Sequence, residues 1–204
     1  MTYLHRVPAI RKGLDHLLKH DPVFSRKNFD LDSFAWEYKG PGYESLVRIV
    51  IGQQLSTKAA QSVWEKFRGH VGTVNPARVL KLSEHDMRAL GLSGQKIKYI
   101  TGLSEAVKGK SFDPHALEAM NDDDVHAAIT ALKGFGGWSA QMYLMFSLAR
   151  PDVWPAGDLG VQEGLRLYLR KKERPDFEAT LKAGKRFRPH ATAASLLLWK
   201  IKDA

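Results

Sequence analysis

The chain has 204 residues and no cysteine, which excludes disulfides, cysteine nucleophiles, thiolate zinc sites and cysteine-ligated iron–sulfur clusters. A hydrophobic fraction of 44% beside 26% charged residues is that of an ordinary folded domain, and no apolar run reaches the roughly 20 residues of a membrane-spanning helix. Lys plus Arg outnumber Asp plus Glu by 31 to 22, a net +9 that points toward a polyanionic partner. The excess is concentrated. Residues 51–110 carry ten basic and four acidic side chains, net +6, whereas 111–150 carry two and five, net −3. Met1-Thr2-Tyr3-Leu4-His5-Arg6 leads into no continuous apolar stretch, so a secretory signal is not expected. The expected compartment is the cytoplasm, or the nucleus in a eukaryote.

The pattern is helical nearly throughout. Gly40-Pro41-Gly42 breaks the chain, and Tyr43 to Ile51 follows with apolar residues at helical spacing. After Gln53-Gln54-Leu55, Ser56 reads as an N-cap for a helix carrying Ala59, Ala60, Val63, Trp64 and Phe67, ended by Gly69 and Gly72. Asn75-Pro76 opens another helix, with Asn as cap and Pro at the first position. Ser83 caps a short helix ending near Gly91, and a longer one spans Ser93 to Val107. Asp113-Pro114 repeats the cap-plus-proline signal. Asp122-Asp123-Asp124 stands where carboxylates favour a helix start. Arg150 to Asp158 is the longest departure from helix, with two prolines and a glycine. Helices then start at Asp158 and run from Ala191 to Ile201. Strand signals and repeats are nearly absent, so the expected fold class is all-α.

Chemistry concentrates in Ala131-Leu132-Lys133-Gly134-Phe135-Gly136-Gly137-Trp138-Ser139-Ala140. An amphipathic helix runs into a glycine hairpin and a second helix leaves at once. The hairpin glycines can turn backbone N–H groups outward at a helix N-terminus, where an anion is favoured. A DNA phosphate fits that description, and so does an ordinary tight turn between helices. Asp158 follows Trp138 by twenty residues, in Pro155-Ala156-Gly157-Asp158-Leu159-Gly160. Its commonest use at such a place is as a plain N-cap.

Taken together, this segment and Asp158 resemble the helix-hairpin-helix–Gly/Pro–Asp family of DNA glycosylases. Ile49-Val50-Ile51-Gly52-Gln53-Gln54-Leu55-Ser56 is similar to that family's Ile-Ile-Gly-Gln-Gln-Leu-Ser segment, and Gly91-Leu92-Ser93-Gly94-Gln95-Lys96 to its Gly-Leu-Ser-x-x-Lys turn. Arg186-Phe187-Arg188-Pro189-His190 resembles the C-terminal segment of the 3-methyladenine glycosylase II branch. The matches span about residues 43–200.

The resemblance implies two helical lobes flanking a DNA-binding cleft. Residues 44–148 would form one lobe and 1–43 plus 149–204 the other, with Asp158 at their junction. It also implies that the additional N-terminal β domain of longer members is missing here. The expected activity is base-excision repair: hydrolysis of the N-glycosidic bond of flipped-out alkylated bases of the 3-methyladenine and 7-methylguanine type. Asp158 would be the catalytic carboxylate, stabilising an oxocarbenium-like sugar and assisting water. Capping and catalysis are compatible at that position.

Family members that also cleave the backbone carry a Schiff-base Lys where this chain has Trp138, so a monofunctional enzyme without lyase activity is implied. Lys133, Gly134, Gly136, Gly137 and Lys96 would contact phosphates. Trp138 and Phe187 would stack on the flipped base; whether Trp36, Tyr38 and Tyr43 add another wall is left open by their spacing. Gln53, Gln54 and Leu55 would form the turn that plugs the vacated duplex; whether Gln54 or Leu55 is the wedge stays open. No cofactor is required for catalysis, although a monovalent cation, Na+ or K+, is implied at the carbonyls of Thr130, Leu132 and Phe135. The expected partner is double-stranded DNA containing damaged bases, bound by a monomer. A non-catalytic DNA-binding module and a glycosylase for an uncharged lesion are the alternatives.

Overall fold

The computed structural model describes residues 2–203. Its α-helices, in chain order, are α1 (Pro8–His20), α2 (Pro22–Ser25), α3 (Tyr43–Gly52), α4 (Thr57–Val71), α5 (Pro76–Val79), α6 (Glu84–Ala89), α7 (Gly94–Lys108), α8 (Asp122–Thr130), α9 (Gly137–Phe146), α10 (Leu159–Tyr168), α11 (Phe177–Gly184) and α12 (Ala191–Asp203). One isolated antiparallel bridge, Tyr3 with Glu37, is the extended pairing among the described residues. The fold is all-α. Among the described residues no helix is long and apolar enough to cross a membrane.

Local chemistry explains most helix starts. Ser56, Asn75, Ser83, Ser93, Asn121 and Asp158 each accept a backbone N–H from the first turn of the helix that follows. Such a cap is worth about 1 kcal/mol. Two local expectations need correction. Gly69 lies inside α4, and Gly72, with φ of 72°, alone ends it. Asp113-Pro114 starts no α-helix: the Asp113 carboxylate accepts the His115 amide at 2.9 Å, and only a 3-10 turn, Ala116–Ala119, follows. Helices α1, α2 and α11 carry no specific expectation from the sequence. Pro8 at the first turn, with Ile10, Leu14 and Leu17 buried at i, i+4 and i+7, was the legible signal for α1.

The chain divides into two compact units, Met1–Lys39 with Leu144–Ala204, and Gly40–Tyr143. In the first, α12 is buried nearly all round and packs against α1 and α10. Its core includes Leu14, Phe24, Leu165, Phe187 and Leu197. The Tyr168 hydroxyl donates to Asp21 Oδ2 at 2.7 Å, tying the end of α10 to the N-cap of α2. In the second unit α3 is the apolar centre, with Leu46, Val47, Val50 and Ile51 buried, and it packs on α4 and α7. The Tyr43 hydroxyl lies 2.6 Å from Ser104 Oγ. Burial pushes that phenol up to about 12, with the Ser104 bond acting the other way.

Candidate active site and DNA-contacting residues

Within the Gly40–Tyr143 unit, the turn after α3 and the hairpin before α9 are bonded together. Gln53 Nε2 donates to the Gly134 carbonyl at 2.8 Å and to Ser139 Oγ at 3.1 Å. Lys96 Nζ donates to the Ile51 carbonyl at 2.7 Å, satisfying one of the orphan acceptors at the end of α3. Burial lowers the pKa of the Lys96 ammonium. Lys96 is therefore a strap on the turn before it is anything else.

Between these straps the chain exposes a strained residue. Gln54 has φ of 57° and is exposed. A left-handed non-glycine residue costs about 1–2 kcal/mol, and such strain gathers at functional sites. Leu55, beside it, is 41% exposed.

The hairpin turn depends on Gly134, with φ of 91°. A Cβ there would clash with Cγ, Cδ1 and Cδ2 of the Tyr99 ring. Tyr99 thus packs closely against the hairpin backbone at Gly134, and its hydroxyl receives the Gln95 side-chain amide. Turn and hairpin together border a cavity of about 620 Å³. Gln53, Gln54, Lys96, Gly134, Gly136 and Trp138 all line it. These six expected site residues therefore share one cavity. Ser93, Gln95, Tyr99 and Ser139 line it too, and none was anticipated as a site residue. The volume lies within the range of small-ligand sites, about 300–1,000 Å³. Leu55, Lys133 and Gly137 are not among its walls. Lys133 is exposed at the hairpin tip. At the same hairpin the Leu132 carbonyl accepts the Phe135 amide at 3.1 Å, and the Thr130 hydroxyl donates to the His126 carbonyl at 2.8 Å. Phe135 itself is buried.

One aromatic expectation is corrected, and an open one is resolved. Phe187 is 2% exposed, enclosed by Phe24, Trp154 and Tyr168 at ring separations of 5.4–6.0 Å. It is a core residue of the first unit and presents no face for a base to stack on. Tyr43 is likewise buried, with its hydroxyl committed to Ser104. Trp36 and Tyr38 are half-buried in the first unit, where Trp36 meets Phe34 edge-on at 4.9 Å.

Asp158 belongs to the first unit. It is half-buried at the N-cap of α10. Its Oδ1 accepts two N–H groups, the Val161 amide and the Trp199 indole, each at 2.8 Å. The preceding loop is fixed as well: the buried Gln162 side chain donates to the Ala156 carbonyl at 2.9 Å. Trp199 was legible in the sequence only as an apolar residue of the last helix. The signal it carried was general: a half-buried indole N–H needs an acceptor. Among the described residues no cluster of three or more His, Cys, Asp or Glu is arranged to hold a metal.

The first unit thus holds a carboxylate at a helix start, and the second an exposed left-handed turn and a glycine hairpin. The family model for HhH-GPD superfamily base excision DNA repair proteins matches residues 47–189. A DNA-3-methyladenine glycosylase 1 of Schizosaccharomyces pombe is 35% identical over 172 residues, covering 81% of this chain and 74% of that protein. The 3-methyladenine DNA glycosylase of the same yeast, solved with abasic DNA, has a TM-score of 0.80 at 31% identity. That match covers 93% of this chain and 95% of the other. A Bacillus halodurans DNA-3-methyladenine glycosidase structure gives 0.73 at 30% identity, over 97% and 90% of the two chains. At 15% identity the fold alone is shared with a Clostridium acetobutylicum 8-oxoguanine glycosylase/lyase, TM-score 0.67, over 98% of this chain and 68% of that one. The chain belongs to the HhH-GPD superfamily of base excision DNA repair proteins.

Proposed function

We propose that this protein is a monofunctional DNA glycosylase of the 3-methyladenine glycosylase II type. In this reading it releases alkylated bases such as 3-methyladenine and 7-methylguanine from double-stranded DNA. The observation that carries the reading is the Asp158 carboxylate, fixed through Oδ1 by two N–H donors at 2.8 Å. In the reaction the C1′–N bond breaks with its electron pair leaving on the base, and positive charge develops on the sugar. Asp158 stabilises that charge and orients the water whose oxygen adds to C1′, taking its proton. A cationic alkylated base is already a good leaving group and stacks on an aromatic face. Trp138, half-buried on the cavity wall, is the aromatic that supports base stacking after the loss of Phe187 from that role.

The exposed left-handed Gln54 is the residue we assign to the vacated duplex position, with Leu55 beside it. Extruding the base leaves a gap that some side chain must fill. Lys133 and the amides of Gly134, Gly136 and Gly137 meet phosphates at the hairpin. We assign a monovalent cation to the same place, to be held by the carbonyls of Thr130, Leu132 and Phe135. Carbonyls are the hard ligands such an ion prefers, and the C-terminal end of α8 is the negative pole of that helix.

The fold does not decide lyase chemistry, because it is shared with a glycosylase/lyase. The side chain at 138 supports the monofunctional reading: an indole has no amine to condense with the sugar. Incubation of the protein with methylated duplex DNA should release free methylated purines, identified by chromatography, and leave intact abasic sites that break only with heat or alkali. Borohydride should trap no covalent protein–DNA adduct. A trapped adduct overturns the monofunctional reading, and failure to release any base from damaged DNA overturns the enzymatic one.

A further inference from the structure

The Asp158 carboxylate has an unusual second donor. One bond to Oδ1, from the Val161 amide, is the ordinary N-cap bond. The other comes from a tryptophan 41 residues away in sequence, on α12. Fixing one oxygen from two directions removes the rotation that a capping bond alone leaves. An exposed or idle cap has no need of that.

The indole is itself held. Its ring stacks on Phe146 at 5.9 Å and 26° and lies 6.3 Å from Trp36. The neighbouring backbone leaves room for it. A Cβ at Gly160 would stand 2.8 Å from Trp199 Cδ1 and Nε1 and 3.1 Å from Asp158 Oδ1. Any side chain at 160 would therefore push the indole off the carboxylate. Position, donor and vacancy agree.

We infer that Trp199 is the positioning residue of the proposed glycosylase reaction: its indole N–H, seated by Phe146 and Trp36 over Gly160, sets the orientation of the Asp158 carboxylate. The inference rests on the assignment of Asp158 as the catalytic carboxylate. Misplacement of a reacting group by about 1 Å costs on the order of 10²-fold in rate. Loss of one of two anchors should therefore cost about 10- to 100-fold.

The test uses the full chain and two duplexes, one holding a neutral base (hypoxanthine) and one a cationic base (7-methylguanine). Trp199→Phe removes the N–H and keeps an aromatic ring for Phe146 and Trp36. Gly160→Ala keeps the indole and displaces it. For both variants the single-turnover rate on hypoxanthine should fall about 10- to 100-fold. The fall on 7-methylguanine should be smaller, because that base depends less on the carboxylate. Affinity for a duplex with a non-cleavable abasic analogue should change less than threefold.

A purely structural Trp199 would lower both rates alike, together with folded fraction and DNA affinity, and that pattern overturns the inference. So does a wild-type rate for Trp199→Phe while Asp158→Asn is inactive; in that case the reading of Asp158 stands. Equal activity of Asp158→Asn and the wild type would overturn that reading and this inference together.

Discussion

Asp158→Asn should fold like the wild type, bind damaged duplex DNA with unchanged affinity, and excise bases about 10²–10⁴ times more slowly. That range corresponds to about 2.7–5.4 kcal/mol of transition-state stabilisation. The fold is preserved because asparagine caps a helix as well as aspartate does. Its side-chain oxygen can still accept the Val161 and Trp199 N–H groups that now reach Oδ1. What it loses is the negative charge facing the developing sugar cation. The effect should be largest for neutral leaving bases and smaller for 7-methylguanine, whose own charge already weakens the glycosidic bond. Single-turnover excision on matched duplexes measures the rates, and a thermal melt checks the fold. Wild-type rates on every substrate would remove Asp158 from the reaction. Tight binding by a wild-type protein that releases no base would favour a non-catalytic DNA-binding module.

Much of the architecture could be read from local signals. Caps at Ser56, Asn75, Ser83, Ser93 and Asp158 act through the nearest turn of backbone, so their residue types alone announce the helix starts. The hairpin was legible for the same reason: its glycines serve a backbone need that lies within the segment. Long-range partners were not legible. Nothing local marks Trp199 as the donor to Asp158, since the bond joins the first turn of α10 to the last turns of α12. Phe187 failed by the same logic. Both a stacking aromatic and a core aromatic are large apolar rings in a helical context, and only the enclosing Phe24, Trp154 and Tyr168 tell them apart. Lys96 looked like one more cation of a basic stretch, and the acceptor that claims it lies 45 residues away. Asp113-Pro114 misled because a cap fixes only a first turn. Propagation needs an apolar face, and of the four residues that follow as a 3-10 turn only Leu117 is buried.

Gly134→Ala and Lys133→Glu should separate the hairpin's shape from its charge. At 134 the backbone sits at φ of 91°, and the added methyl has nowhere to go but into the Tyr99 ring. Left-handed strain for alanine is about 1–2 kcal/mol and overpacking adds about 1–3. A total of about 2–5 kcal/mol should lower Tm by about 4–20 °C for a chain of this size. Relaxation by the hairpin backbone would move the Gly134 carbonyl that receives Gln53, and with it the turn bearing Gln54. DNA affinity should fall together with stability. Lys133→Glu acts differently. The side chain is exposed, so Tm should stay within about 1 °C. Binding should weaken on all sequences alike, and the slope of log K against log salt should flatten by about one. Fluorescence anisotropy across a salt series, beside a thermal melt, reads both variants. An unchanged salt slope for Lys133→Glu would place the phosphate-contacting surface away from the hairpin, and an unchanged Tm for Gly134→Ala would mean that the Tyr99 ring yields freely.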